Sequence, residues 1–197
     1  MYTAAVFLPL LGAVVAGLFG RLIGERLSQI VTTGLLFVSA VLGCIILFQF
    51  ASTPKPTANT IQIFTWIASG ELRIPWALRF DMLSAVMVFV VTFCSALIHL
   101  YSIGYMHGDP GVPRFFAYLS LFTFSMLMLV TADNFVQMFF GWEGVGVCSY
   151  FLIGYYFDRD SANAASIKAF VVNRVGDFGF ALGIFAVFML FGSLDFG

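Results

Sequence analysis

Four ionisable residues lie inside long apolar runs of this sequence, and their types suit the movement of protons or charge. Glu143 sits in Phe139-Phe140-Gly141-Trp142-Glu143-Gly144-Val145-Gly146-Val147-Cys148, and Lys168, Arg174 and Asp177 share the next run. A carboxylate at membrane depth costs about 3 kcal/mol or more unless it is paired, hydrated or protonated, so such groups usually mark an ion pathway. For Glu143 the alternative is a static salt bridge tying two helices together. Arg174 and Asp177 are three residues apart and share one helix face. Arginine does not give up its proton, so Arg174 either holds Asp177 ionised and sets the local field or forms a purely structural pair with it. Lys168 lies on the opposite face from Asp177, roughly 13 Å away along the axis. It reads as a proton carrier or as an anchor whose stem snorkels to the interface. His99, in the last third of another apolar run, is either a relay or a hydrogen-bonded packing residue.

The elements that must position these groups follow from composition. Of 197 residues, 61% are hydrophobic and 10% charged. Soluble domains carry about 25% charged residues, so an integral membrane protein is expected. A net charge of −1 gives no footprint for nucleic acid. Crossing the hydrocarbon as a helix takes roughly 20 apolar residues. By that measure the chain is an all-α polytopic protein with about six transmembrane helices, over 3–20, 30–51, 82–105, 115–131, 135–156 and 164–192. Glu143 enters its span about eight residues deep, roughly 12 Å, and Asp177 lies halfway along the antiparallel span that follows, so the two acids reach similar depth. No Lys or Arg precedes the first run, which reads as a retained span rather than a cleaved leader.

In the one long connection, 52–81, Ile61–Trp66 has β-type composition, Ser69-Gly70 suits a turn and Glu71–Ile74 alternates polar and apolar residues, which together predict a surface β-hairpin. Its Trp66 and Trp76 are expected at headgroup level. The short connections carry Arg21, Arg26, Arg114 and Arg159, which places them on the cytoplasmic or matrix side and both ends of the chain on the other. Gly141, Gly144 and Gly146, and the pair Gly179 and Gly183, read as positions where a neighbouring helix approaches closely. Cys44, Cys94 and Cys148 form no Cys-x-x-Cys and are not spaced with His99 or His107 for a metal, so they read as small buried hydrophobes. No cofactor or redox centre is expected in this chain.

Two segments carry a resemblance: Gly-Trp-Glu-Gly-Val-Gly-Val-Cys-Ser-Tyr-Phe-Leu-Ile-Gly at 141–154 and Lys-Ala-Phe-Val-Val-Asn-Arg-Val-Gly-Asp-Phe-Gly at 168–179. With His99–Met106 and Arg114–Thr131 they make the sequence similar to the N-terminal part of the NADH dehydrogenase subunit 5 family, the antiporter-like subunits of respiratory complex I. The resemblance implies a proton-translocating subunit of the membrane arm, part of NADH:ubiquinone oxidoreductase. Glu143 would be the proton-transfer residue, Arg174 and Asp177 its close neighbours, and Lys168 the lysine that opens the second motif. It further implies that flavin, iron–sulfur clusters and quinone belong to partner subunits. Its partners would be the other membrane-arm subunits, above all the adjacent antiporter-like one, together with lipid and protons. The membrane is a bacterial plasma membrane or a mitochondrial inner membrane. The large subunit of a multi-subunit Na+/H+ antiporter is the alternative, with the same fold. Family members are much longer, with two inverted repeats. The expected organisation is therefore 1–114 as an N-terminal three-helix segment and 115–197 as the first three helices of an incomplete antiporter-like repeat.

Overall fold

A computed structural model describes residues 1–54, 57–69 and 72–196 of the chain. Its first element, α1 (Tyr2–Ser52), is one helix folded in two at Gly24, where φ is 79° and ψ 177°. Only glycine takes that conformation without strain. The two arms run antiparallel: Ser39 Oγ donates to the carbonyl of Ala5, and the Tyr2 hydroxyl donates to Gln49 Oε1 at 3.1 Å. Small residues line the seam, Ala5 against Ser39, Gly12 against Thr32 and Gly20 against Ser28. Lipid gives no hydrophobic drive between helices, so close approach of backbones has to supply the attraction. The sequence predicts a connection over 21–29. Instead the helix runs on from both sides, because Arg21, Leu22, Glu25, Arg26 and Leu27 are good helix formers, and one residue makes the turn.

Four further helices follow: α2 (Met82–Tyr105), α3 (Val112–Val130), α4 (Phe135–Ile153) and α5 (Asp160–Phe191). All five are long and apolar enough to cross a membrane, and the fold in α1 makes six crossings among the described residues. The chain is a multi-pass membrane protein. α2 starts with a capping box, Ser84 N–H donating to Asp81 Oδ1 at 2.8 Å and Asp81 N–H to Ser84 Oγ at 2.7 Å. Burial works against the Asp81 carboxylate, but the Ser84 hydrogen bonds and nearby Arg79 outweigh it and hold its pKa below the ordinary value. Its stabilisation is therefore full above the unfolded carboxyl range and fades as the pH falls through the lower folded value. Asp81→Ala is expected to cost about 1 kcal/mol at neutral pH and progressively less in acid, measured by thermal melting across pH.

The predicted hairpin is present as β1 (Asn59–Ser69) and β2 (Leu72–Phe80), paired antiparallel from Asn59–Phe80 to Ser69–Leu72. Gly70 and Glu71, at the expected turn, and Lys55 and Pro56, at the start of the connection, fall outside the described residues. β2 is fixed to the turn between α3 and α4. Arg79 N–H donates to Thr131 O at 2.8 Å, Asn134 Nδ2 to Pro75 O at 2.9 Å, and Ala77 N–H to Gln137 Oε1 at 3.0 Å. Trp76 is buried, stacked on Phe64 of β1 and packed edge to face with Phe140 of α4. Trp76, Leu78 and Phe80 share one core with Ala5, Val6 and Ile46 of α1 and Phe124, Leu127 and Met128 of α3.

α4 sits on α3 through glycine. A Cβ at Gly141 would lie 2.5 Å from the backbone nitrogen of Leu129, and one at Gly144 would lie 2.7 Å from Ser125 Oγ. A backbone atom cannot move aside by rotamer change, so Gly141→Ala must push the helices apart. We expect a loss of about 1–3 kcal/mol, read as a lower melting temperature of the detergent-solubilised protein. At Gly146 the approach is looser, with Asn173 Nδ2 at 3.6 Å. At Gly179 and Gly183 a Cβ meets nothing within 4 Å among the described residues, so α4 is not the helix that approaches them. α5 turns Asp177, Phe180 and Ile184 to α4, which leaves those glycines on the outer face with Val175, Phe178 and Leu182.

Candidate functional site

α4 and α5 carry the intramembrane charges and pack against each other in antiparallel register. Phe139 meets Phe180, Tyr150 meets Phe170, and Gly154 lies against Ser166. Midway between those contacts, α4 presents Trp142 and Glu143 to Arg174 and Asp177 of α5. Arg174 Nη1 donates to Glu143 Oε1 at 2.9 Å, and Nη2 donates to Glu143 Oε2. The same guanidinium holds Asp177 Oδ2 at 3.4 Å through Nε. Asp177 Oδ1 accepts from Trp142 Nε1 at 2.7 Å. The Arg174 guanidinium also lies over the Phe170 ring at 4.6 Å. Side-chain exposure is 7% for Asp177, 22% for Glu143 and 41% for Arg174.

One guanidinium thus serves two carboxylates on different helices. With all three ionised the cluster carries a charge of −1, and one proton makes it neutral. Unit charges 4 Å apart interact by roughly 4 kcal/mol at an effective dielectric near 20, so the position of that proton and of Arg174 is strongly coupled. A cleft of about 110 Å³ opens beside the cluster, lined by Trp142, Glu143, Val145, Gly146, Ser149, Asn173 and Asp177. That is room for a few waters with polar partners on two sides.

Of the residues singled out from the sequence, Glu143, Arg174 and Asp177 come together here. Lys168 does not: it is exposed on α5 and makes no ion pair or side-chain hydrogen bond among the described residues. His99 lies elsewhere, fully buried between α2 and α3. Its Nδ1 is 2.9 Å from Ser95 O and its Nε2 3.0 Å from Ser120 Oγ, so a neutral ring donates to the carbonyl and accepts from the hydroxyl. That geometry fits a satisfied packing residue. The Arg174–Glu143 pair joins two helices, as the proximity implied by the resemblance allows, whereas spacing along α5 alone reveals only the Asp177 partner. One feature escaped sequence reasoning. Trp142 reads as one more aromatic in an apolar run, and its signal was an indole donor immediately beside an intramembrane acid.

Comparison with known proteins places these observations in context. Residues 66–116 match the family described as NADH-ubiquinone oxidoreductase (complex I), chain 5 N-terminus, and residues 132–197 match NADH:quinone oxidoreductase/Mrp antiporter, TM. NADH-quinone oxidoreductase subunit L of Rhodobacter capsulatus is 56% identical over 99% of the chain and 28% of its own length. NADH-ubiquinone oxidoreductase chain 5 of Triticum aestivum is 53% identical over 100% of the chain and 29% of its own. The chain therefore spans 28–29% of the length of these relatives. Among solved structures, the Mrp complex from Dietzia sp. superposes with a TM-score of 0.79 at 23% identity, over 98% of the chain and 20% of its counterpart, a likeness of fold.

Proposed function

The chain belongs to the complex I chain 5 family, and on that premise we propose that it is a proton-translocating element of the membrane arm of NADH:quinone oxidoreductase, with Glu143 as the group that gains and loses the proton. The observation that carries this reading is the cluster itself: two carboxylates and one guanidinium in direct contact, one charge short of neutrality, beside a small cleft at mid-helix. A proton arriving at Glu143 releases the guanidinium toward Asp177, and a proton leaving restores the bidentate pair. The switch needs no large backbone motion, only a rotation about the Arg174 side chain.

In this reading Arg174 and Asp177 set the charge balance. Lys168, two turns nearer the short-loop end, is a further proton acceptor along the same helix. Electron transfer, with its flavin, iron–sulfur clusters and quinone, belongs to partner subunits of the complex, and the adjacent antiporter-like subunit is the neighbour through which charge changes arrive. The membrane is the bacterial plasma membrane or the mitochondrial inner membrane. Proton translocation by the assembled complex carrying Glu143→Gln tests the reading. Co-purification with flavin and iron–sulfur subunits separates it from a Na+/H+ antiporter, which would purify without them.

A further inference from the structure

We infer that Trp142 is a positioning residue: its indole N–H occupies Asp177 and so keeps the Arg174 guanidinium turned to Glu143. The functional meaning of this rests on the proton-transfer reading above, while the geometry stands by itself. Neighbours on α4 divide the charged pair of α5 between them. Trp142 Nε1 takes Asp177 Oδ1 at 2.7 Å, and Glu143 takes the two terminal nitrogens of Arg174. Only Nε of Arg174 is left for Asp177, at the longer distance of 3.4 Å.

Without the indole donor, Asp177 Oδ1 would need another partner at a depth where an unpaired carboxylate oxygen is costly. The nearest donor is Arg174, three residues away on the same helix, where pairing orders little extra chain. Arg174 would then close both arms of its fork on Asp177, and Glu143 would lose its cation. The groups facing Glu143 leave few substitutes. From α5 they are Arg174, Asp177 and the neutral Asn173; from α4, Trp142 and Ser149. The α3 surface that meets this part of α4 offers Ser125 and Leu129, neither of them charged. The indole ring, 45% exposed among the described residues, meets Phe180 edge to face with centroids 6.1 Å apart. A charge-assisted hydrogen bond is a strong way to set such a preference.

The test is Trp142→Phe in the assembled membrane complex, read by infrared spectroscopy of the carboxylate stretching bands. Phenylalanine keeps an aromatic ring against Phe180 and removes the N–H. The expected result is that two bands move. One is an aspartate band that vanishes when Asp177→Asn is added, and the other a glutamate band that vanishes with Glu143→Gln. Proton pumping is expected to fall by about tenfold, the size of one lost hydrogen bond to a charged group. Unmoved bands in the assembled variant would overturn the inference and leave the proton-transfer reading untouched. Full pumping in Glu143→Gln, with both bands still moving in Trp142→Phe, would do the reverse. If Trp142→Phe does not assemble, the sulfur isostere of tryptophan keeps both rings, lacks the N–H, and must move the same two bands.

Discussion

In the assembled complex, Glu143→Gln is expected to abolish or strongly lower proton translocation while leaving assembly intact. Glutamine has the shape of a protonated glutamate and keeps a carbonyl for Arg174, so packing between α4 and α5 survives. What disappears is the variable charge. The cluster of two carboxylates and one guanidinium becomes permanently neutral, and no proton can enter or leave at position 143. A positioned acid or base contributes about 10²–10⁴-fold to a proton-transfer rate, so a loss of at least about 100-fold is expected in proton uptake by reconstituted vesicles. Retention of full pumping by that variant would remove Glu143 from the pathway.

The second large effect falls on Arg174. Arg174→Met keeps an apolar stem but removes the guanidinium from the Phe170 ring and deprives Glu143 and Asp177 of their shared cation at once. Breaking a buried ion pair by removing one partner costs about 3–5 kcal/mol, and with Arg174 itself 41% exposed the effect is discounted to about 2 kcal/mol. The cluster would stand at −2 unless it bound protons, so pumping is expected to fail together with stability. Arg174→Lys separates the two roles. An ammonium restores the charge, but it cannot offer three nitrogens in a plane to two carboxylates, so stability recovers further than pumping does. A Lys variant that pumps like wild type would show that charge alone suffices. Thermal melting of the purified complex and vesicle proton uptake, measured on the same preparation, make the comparison.

Much of this was legible in the sequence, because a charge inside an apolar run stands out in any register. That is how Glu143, Arg174, Asp177 and Lys168 were found, and the long runs around them gave the crossings with their ends nearly in place. The hairpin was legible because Ile61–Trp66 has the composition of a strand and Glu71–Ile74 alternates polar and apolar residues. What stayed hidden depends on the rotation and tilt of one helix against another. Whether Arg174 faces Asp177 alone or reaches Glu143 as well is decided by the angular position of α4, which a one-dimensional pattern does not contain. The same holds for Gly179 and Gly183, small residues that suggest a seam, although α5 turns a different face to its neighbour. The tight fold at Gly24 was masked for another reason: charged residues on both sides look like a loop but are equally at home in a helix end.

That fold has a consequence for how the protein is made. Its arms meet through residues close in sequence, Gly12 against Thr32 and Ala5 against Ser39, with a single residue as the connection. Loop-closure entropy is smallest for such short connections, and contacts between near neighbours form fastest. During synthesis the first two crossings can therefore zip into a hairpin before α2 has left the ribosome. Arg21 and Arg26 flank its tip at Gly24. A framework is standing when α3 arrives to pack on it, and only then does the costly pair, α4 with Glu143 and α5 with Arg174, come to the membrane.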